Sequence, residues 1–191
     1  CEDEREMCDL INITGVYNLI KAIGNRYTHF VHISTDFIYE GDEEEYFEDS
    51  KVNPLSYYGR SKWKSEQLFE QVSFPYSILR TVLVYGVLQD LSRSNIVLWA
   101  KATLEKGEKI NVVDDQFGAP TFSGDIAEAV LSITKQVLRQ KDAGFWGTYH
   151  YTAIGHATWK DFAEEIFEKK ANWVSKKPVS YTHLRAHETD S

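Results

Sequence analysis

Phe30-Val31-His32-Ile33-Ser34-Thr35-Asp36 is a short, mostly apolar run that closes on three small polar residues. Helical periodicity lies on both sides of it, so it reads as a buried strand of a parallel sheet. Ligands of open α/β sheets gather at the carboxyl ends of the strands, where Ser34, Thr35 and Asp36 would stand. His32 lies inside the run and reads as a packed or hydrogen-bonded core residue rather than a catalyst.

Before this strand, Leu10, Ile13, Val16, Tyr17, Leu19 and Ile20 recur at helical spacing over about Asp9 to Ile23, and Gly24 supplies a stop. After it, Asn53-Pro54-Leu55-Ser56-Tyr57-Tyr58-Gly59-Arg60-Ser61-Lys62 opens a helix reaching about Gln71. Pro54 suits its first turn, where no N–H partner is needed. Tyr76 through Gly86 forms a second strand with a tail. Arg80 interrupts it, and a buried guanidinium requires a carboxylate, a carbonyl or a phosphate. A structural ion pair and a ligand contact both stay open for it.

Ser94 caps a helix reaching about Lys106, with Gly107 past its end, and Ile110 to Val113 forms another strand. The loop Asp114-Asp115-Gln116-Phe117-Gly118-Ala119-Pro120-Thr121 is dense in turn residues. A helix from about Ser123 to Arg139 and a strand over Gly147 to Tyr151 follow. Thr158-Trp159-Lys160-Asp161 resembles a capping box, opening a last helix to about Lys170. Strands and helices alternate throughout, which argues for an α/β, doubly wound sheet.

The 191 residues are 42% hydrophobic, enough for one globular core, and the formal net charge of −8 argues against nucleic acid as a partner. No apolar run is long enough to span a bilayer, so no membrane partner is expected. Cys1 and Cys8 make no disulfide framework, and a reducing, cytoplasmic setting is the default. The run Asp42-Glu43-Glu44-Glu45 reads as solvated loop; no metal site is expected.

Tyr58 and Lys62 stand four apart and so share a helix face. A nearby ammonium favours the phenolate and would lower the tyrosine pKa from its usual value near 10, making the hydroxyl a usable proton carrier. A surface Tyr and Lys on an exposed face is the plain alternative.

Several motifs occur together and in order: Ile33 through Gly41, Pro54 through Lys62, Leu79-Arg80-Thr81, Val84-Tyr85-Gly86, and Asp115 through Thr121. In this combination, over roughly residues 8 to 173, the chain resembles the extended short-chain dehydrogenase/reductase superfamily. It is most similar there to the dTDP-4-dehydrorhamnose reductase group. The resemblance implies a Rossmann-like, doubly wound parallel sheet with a small substrate-binding cap. It also implies NAD(P)H-dependent reduction of the 4-keto group of a nucleotide-linked deoxysugar, with NADPH or NADH as cofactor. Thr35 would hydrogen-bond the substrate oxygen, Tyr58 would deliver the proton, and Lys62 would hold the nicotinamide ribose and lower the Tyr58 pKa. Ser34 and Asn12 would join Tyr58 and Lys62 on the cofactor side. Asp36, Arg80, Gln116, Pro120 and Thr121 would face the nucleotide sugar. A homodimer is compatible with it.

Three departures shape what is expected. No Gly-x-x-Gly-x-x-Gly turn occurs, although one should open a Rossmann half, so a chain lacking the amino-terminal Gly-rich half is expected, and inactivity on its own. Leu83 stands where the rhamnose reductases commonly carry Trp, which leaves the sugar open. The tail from about Val179 matches none of the motifs and reads as foreign and poorly ordered; His183 and His187 within it lack a third ligand.

The expected segments are 1–86 for the later Rossmann core and catalytic residues, 87–121 for substrate binding, and 122–151 for a helix and strand returning to the core. Segment 152–173 would hold a substrate-side helix, and 174–191 a non-native or disordered tail. Epimerases and dehydratases of the same fold remain alternatives, as does a non-catalytic regulatory relative. Dehydratases add an acid/base pair beside the Thr, of which Asp36-Phe37 supplies half.

Overall fold

The computed structural model describes residues 1–86, 98–99, 102–103, 106–107, 112, 114–140 and 146–168. The expected strand at 110–113, most of the helix at 94–106 and the tail with His183 and His187 lie outside these residues. The chain divides into two compact units.

The first unit comprises Cys1–Thr81 and Val130–Tyr151. Helix α1 runs as three consecutive stretches, Arg5–Asp9, a π-helical turn at Leu10–Thr14, and Gly15–Ile23. Gly24 ends it with φ of 56°, the left-handed conformation that glycine adopts without penalty. Strand β1 (Phe30–Thr35) follows, then a 3₁₀ turn (Asp36–Ile38) and helix α2 (Tyr57–Gln67), which a 3₁₀ turn at Leu68–Gln71 extends. Strand β2 (Tyr76–Thr81) pairs parallel with β1, with Ser34 opposite Arg80 and Thr35 opposite Thr81.

Pro54 does not begin α2, contrary to the sequence expectation. Ser56 is extended and caps the helix, its Oγ accepting from Gly59 N at 3.0 Å. Helix α2 packs on α1 and β1. Gly59 is required there, because any Cβ would strike the Phe37 carbonyl oxygen.

Strand β3 (Val84–Tyr85) does not continue β2. Leu83 between them has φ of 42°, which turns the chain out of the sheet. The expected strand with a tail is thus two strands in two sheets. In the second unit, formed by Val82–Ala129 and the described residues from 152 onward, β3 pairs parallel with β5 (Thr121–Phe122). Strand β4 (Phe117–Gly118) pairs antiparallel with β7 (Ala157–Thr158).

Helix α3 (Ser123–Gln140) begins in the second unit and contributes residues from Val130 on to the first, where β6 (Gly147–His150) completes a parallel sheet in the order β1-β2-β6. Helix α4 (Trp159–Glu168) opens with a reciprocal capping box. Asp161 N donates to Thr158 Oγ1 and Thr158 N to Asp161 Oδ2, each at 3.0 Å. Among the described residues no helix is long and apolar enough to cross a membrane.

The core of the first unit includes Ile38, Phe69, Ile78, Leu79, Ile133 and Val137. Two surfaces stay open. On α1, Met7, Leu10, Ile11, Tyr17 and Leu19 are exposed, and on the edge strand β1 so is Ile33.

Candidate active site

The buried side of α2 is polar, which is unusual for a helix lying on a sheet. Ser61, Ser65 and Glu66 are all buried there. Each meets a partner that β1 or α1 supplies. Ser34 Oγ donates to Glu66 Oε1 at 2.5 Å, and Ser65 Oγ lies 2.9 Å from His32 Nε2. The Asn12 amide, carried on the π-helical turn, donates to Ser61 Oγ at 2.9 Å. Ser61 in turn donates to the Tyr58 carbonyl at 2.8 Å, and Cys8 Sγ lies 3.3 Å from the same hydroxyl.

Arg80 faces the same network from β2. Its Nη2 meets Glu66 Oε2 at 2.8 Å, with the two side chains 5% and 2% exposed. Nε also donates to Glu66, and Nη1 donates to the Tyr39 hydroxyl and the Glu48 carbonyl. Of the partners the sequence left open, the carboxylate and the carbonyl are present, and the guanidinium is turned into the core.

Three residues stand at the carboxyl end of β1 and the start of α2. Thr35 Oγ1 donates to Asp36 Oδ1 at 3.1 Å and accepts from Phe37 N at 3.2 Å. The Tyr58 ring is 36% exposed and lies edge-on to Phe37, with centroids 6.0 Å apart. Glu2 Oε1 accepts from Tyr57 N at 2.6 Å and, more weakly, from Tyr58 N at 3.4 Å, helping to hold the first turn of α2.

Lys62 Nζ donates to the Ile33 carbonyl at 2.7 Å and lies 3.4 Å from His32 Nε2. Burial lowers its pKa, while the Glu66 charge raises it. The Tyr58 pKa is raised, first by burial and then by the Asp36 charge, against the lowering effect of the nearby Thr35 hydroxyl. The sequence expectation of a phenol made acidic by Lys62 is therefore corrected. The ammonium is held at the strand end, and the charge that acts on Tyr58 is that of Asp36. Burial raises the Asp36 pKa as well.

The loop residues lie in the second unit. Gln116 is exposed and Pro120 half-buried. Thr121 is buried; its Oγ1 donates to the Ala119 carbonyl at 2.8 Å and accepts from Ala153 N at 3.1 Å, while its N–H bonds the Leu83 carbonyl at 3.1 Å. The hydroxyl thus serves to close the loop. Among the described residues no group of three or more His, Cys, Asp or Glu could hold a metal ion.

Sequence reasoning missed Glu66, Ser61, Ser65 and Gly59. A signal was there: Tyr58, Lys62 and Glu66 repeat every four residues, and Ser61 and Ser65 do the same, so the polar stripe follows one helix face.

The family model for the RmlD substrate binding domain matches residues 1–189. The chain belongs to this family. The match extends past the 8–173 span of the motifs and into the tail that the sequence reading had set apart. The chain is 32% identical over 158 residues to the dTDP-4-dehydrorhamnose reductase of Sinorhizobium fredii, covering 82% of this chain and 52% of that protein. It is 36% identical over 169 residues to a probable dTDP-4,6-dihydroxy-2-methyloxan-3-one 4-ketoreductase of Streptomyces antibioticus, covering 87% and 54%. The crystal structure of the Bacillus anthracis dTDP-4-dehydrorhamnose reductase in complex with NADP superimposes with a TM-score of 0.75 at 33% identity, covering 87% and 56%. The chain thus spans about half the length of the relatives it matches, and its fold is the Rossmann-like α/β fold of that structure.

Proposed function

We propose that this chain carries the proton-transfer end of an NAD(P)H-dependent reductase acting on the 4-keto group of a nucleotide-linked deoxysugar. The observation that carries the reading is the gathering of Thr35, Tyr58 and Lys62 around the carboxyl end of β1, with the Tyr58 ring edge-on to Phe37 and the Lys62 ammonium on the Ile33 carbonyl. The names of the relatives support the reaction class, since the two matched by sequence are named for reductions of dTDP-linked keto sugars.

A bound NAD(P)H would supply the hydride. Residues toward its nicotinamide end fit: a half-exposed phenol, an ammonium, and Thr81 Oγ1, a buried hydroxyl without a partner on β2 beside Thr35. The Gly-rich turn that would grip its pyrophosphate is not in the sequence. The Thr35 hydroxyl polarises the substrate carbonyl. Tyr58 gives its proton to the oxygen as negative charge develops there. Burial makes Tyr58 a weaker acid than a free phenol, and the alkoxide formed by hydride addition is basic enough to draw its proton. Lys62 holds the ribose hydroxyls and leaves a positive charge near the forming oxyanion. Ser34 and Asn12 support this set through Glu66 and Ser61. Asp36, Gln116 and Pro120 serve the sugar side.

The test follows nicotinamide absorbance with a dTDP-4-keto-6-deoxy sugar. It uses this chain alone and this chain joined to the Gly-rich part of a family reductase. The joined protein is expected to oxidise the cofactor, and Tyr58→Phe to slow it by about two to four orders of magnitude with cofactor binding nearly intact. The chain alone is expected to bind NAD(P)H weakly. Wild-type turnover in Tyr58→Phe would remove the proton-donor role.

A further inference from the structure

We propose that His32 is a positioning residue for Lys62: its uncharged ring presents a bare Nε2 to the ammonium and, with Ser65, fixes where that ammonium stands. The imidazole is 6% exposed, tilted against the Phe69 ring at 5.3 Å between centroids. Its Nε2 has two neighbours, Ser65 Oγ at 2.9 Å and Lys62 Nζ at 3.4 Å. Ser65 Oγ also donates to the Lys62 carbonyl at 2.7 Å, so beside a bare Nε2 its one proton is shared between the ring and that carbonyl, while the Lys62 ammonium, which can only donate, requires the lone pair. A protonated Nε2 would aim an N–H dipole at a cation. A bare Nε2 instead offers the cation a lone pair, and the ring proton then resides on Nδ1.

The other charges near this end of β1 and α2 are Asp36, whose carboxyl accepts from Thr35 Oγ1, and Glu66 and Arg80, closed on each other; the β2 residue paired with His32 is the uncharged Ile78. Burial and the Lys62 charge drive the His32 pKa down to about 3, so the ring stays neutral through the range in which a reductase works. Lys62 is then held on two sides, by the Ile33 carbonyl and by the ring. A core histidine thereby sets the geometry of a residue in the candidate active site without touching substrate.

The inference rests on the reductase reading only for the task given to Lys62, because its test needs neither cofactor nor sugar. Long-range proton–nitrogen spectra of the chain labelled at histidine should show His32 with Nδ1 protonated and Nε2 bare from about pH 5 to 9. Lysine-labelled chain should show the Lys62 ionisation constant rising at least about threefold in His32→Leu, where the ammonium loses an acceptor, and restored in His32→Gln. Packing alone would leave that titration unmoved. A protonated Nε2, an unchanged Lys62 in folded His32→Leu, or a Gln variant that behaves like Leu would each overturn the proposal. If His32→Leu fails to fold, the ring-nitrogen spectrum of the unaltered chain decides by itself. A failed reductase assay is a separate result.

Discussion

Around β1 and α2, charged and hydroxyl side chains are buried and interlocked, whereas β4 and β7 are two-residue strands, and Phe117 of β4 is 69% exposed. Both regions carry residues that the family resemblance links to one nucleotide sugar, yet they are held by different means. In the first, each group is fixed by another polar group that has no water to fall back on. In the second, single hydrogen bonds and a helix cap fix a short loop, and solvent can replace most of them. The contrast fits the function proposed above, in which the groups proposed to react need sub-ångström placement and the loop proposed to face the sugar needs room to adapt.

Substitutions should therefore differ in cost between the regions. The largest effect is expected at Glu66. Removing it by Glu66→Ala leaves Arg80 buried without its carboxylate and should destabilise the chain by about 3–5 kcal/mol in denaturant titration. A loss below about 1 kcal/mol would mean that this network is no tighter than the loop. Next, Gly59→Ala must push α2 away from the Phe37 carbonyl, at about 1–3 kcal/mol by the same measurement. It should also move the Tyr58 ring, visible as an altered tyrosine fluorescence or ring spectrum; a silent substitution would show that α2 has slack.

The pH dependence comes third. His32 is held uncharged when folded, its pKa driven by burial and the Lys62 charge to about 3 from the ordinary 6.5, so near pH 5 the unfolded chain binds a proton that the folded one does not. Stability is fully present above about pH 6.5 and falls as pH drops toward 3, by up to about 1.4 kcal/mol per pH unit from this group. His29 and His150, whose pKa values burial also lowers, act in the same direction. Unfolding midpoints measured across that window should lose the His32 share of the slope in His32→Gln. The smallest effect lies in the second unit, where Thr158→Ala breaks the capping box of α4 and should cost about 1 kcal/mol. A larger loss there would erase the contrast between the two regions.

Much of the site was legible from spacing. Tyr58 and Lys62 at a four-residue interval placed both on one helix face, and the small polar residues after an apolar run marked the end of β1. Pro54 misled, because Ser56 offers the side-chain acceptor that the first N–H groups of α2 need and a proline ring offers none. Leu83 was invisible for a different reason. A left-handed leucine carries no local signal, since its conformation is imposed by the strands on either side.

The sequence by itself determined the helices α1 to α4 and the strands β1, β2 and β6 in their order, the residues at the carboxyl end of β1, and the capping box of α4, because each depends on neighbours a few positions away; the short strands β4, β5 and β7 fall where it showed a loop or a cap. Only the tertiary structure decided that Arg80 is closed on Glu66, that Lys62 meets His32 and Ile33 rather than Tyr58, and that burial raises the Tyr58 pKa. Those outcomes depend on which polar groups lose water together. That is fixed when α2 lies down on β1, bringing Glu66 and Ser65 against partners up to 33 residues earlier or 14 residues later in the chain, at about 1 kcal/mol or more for every partner left unmet.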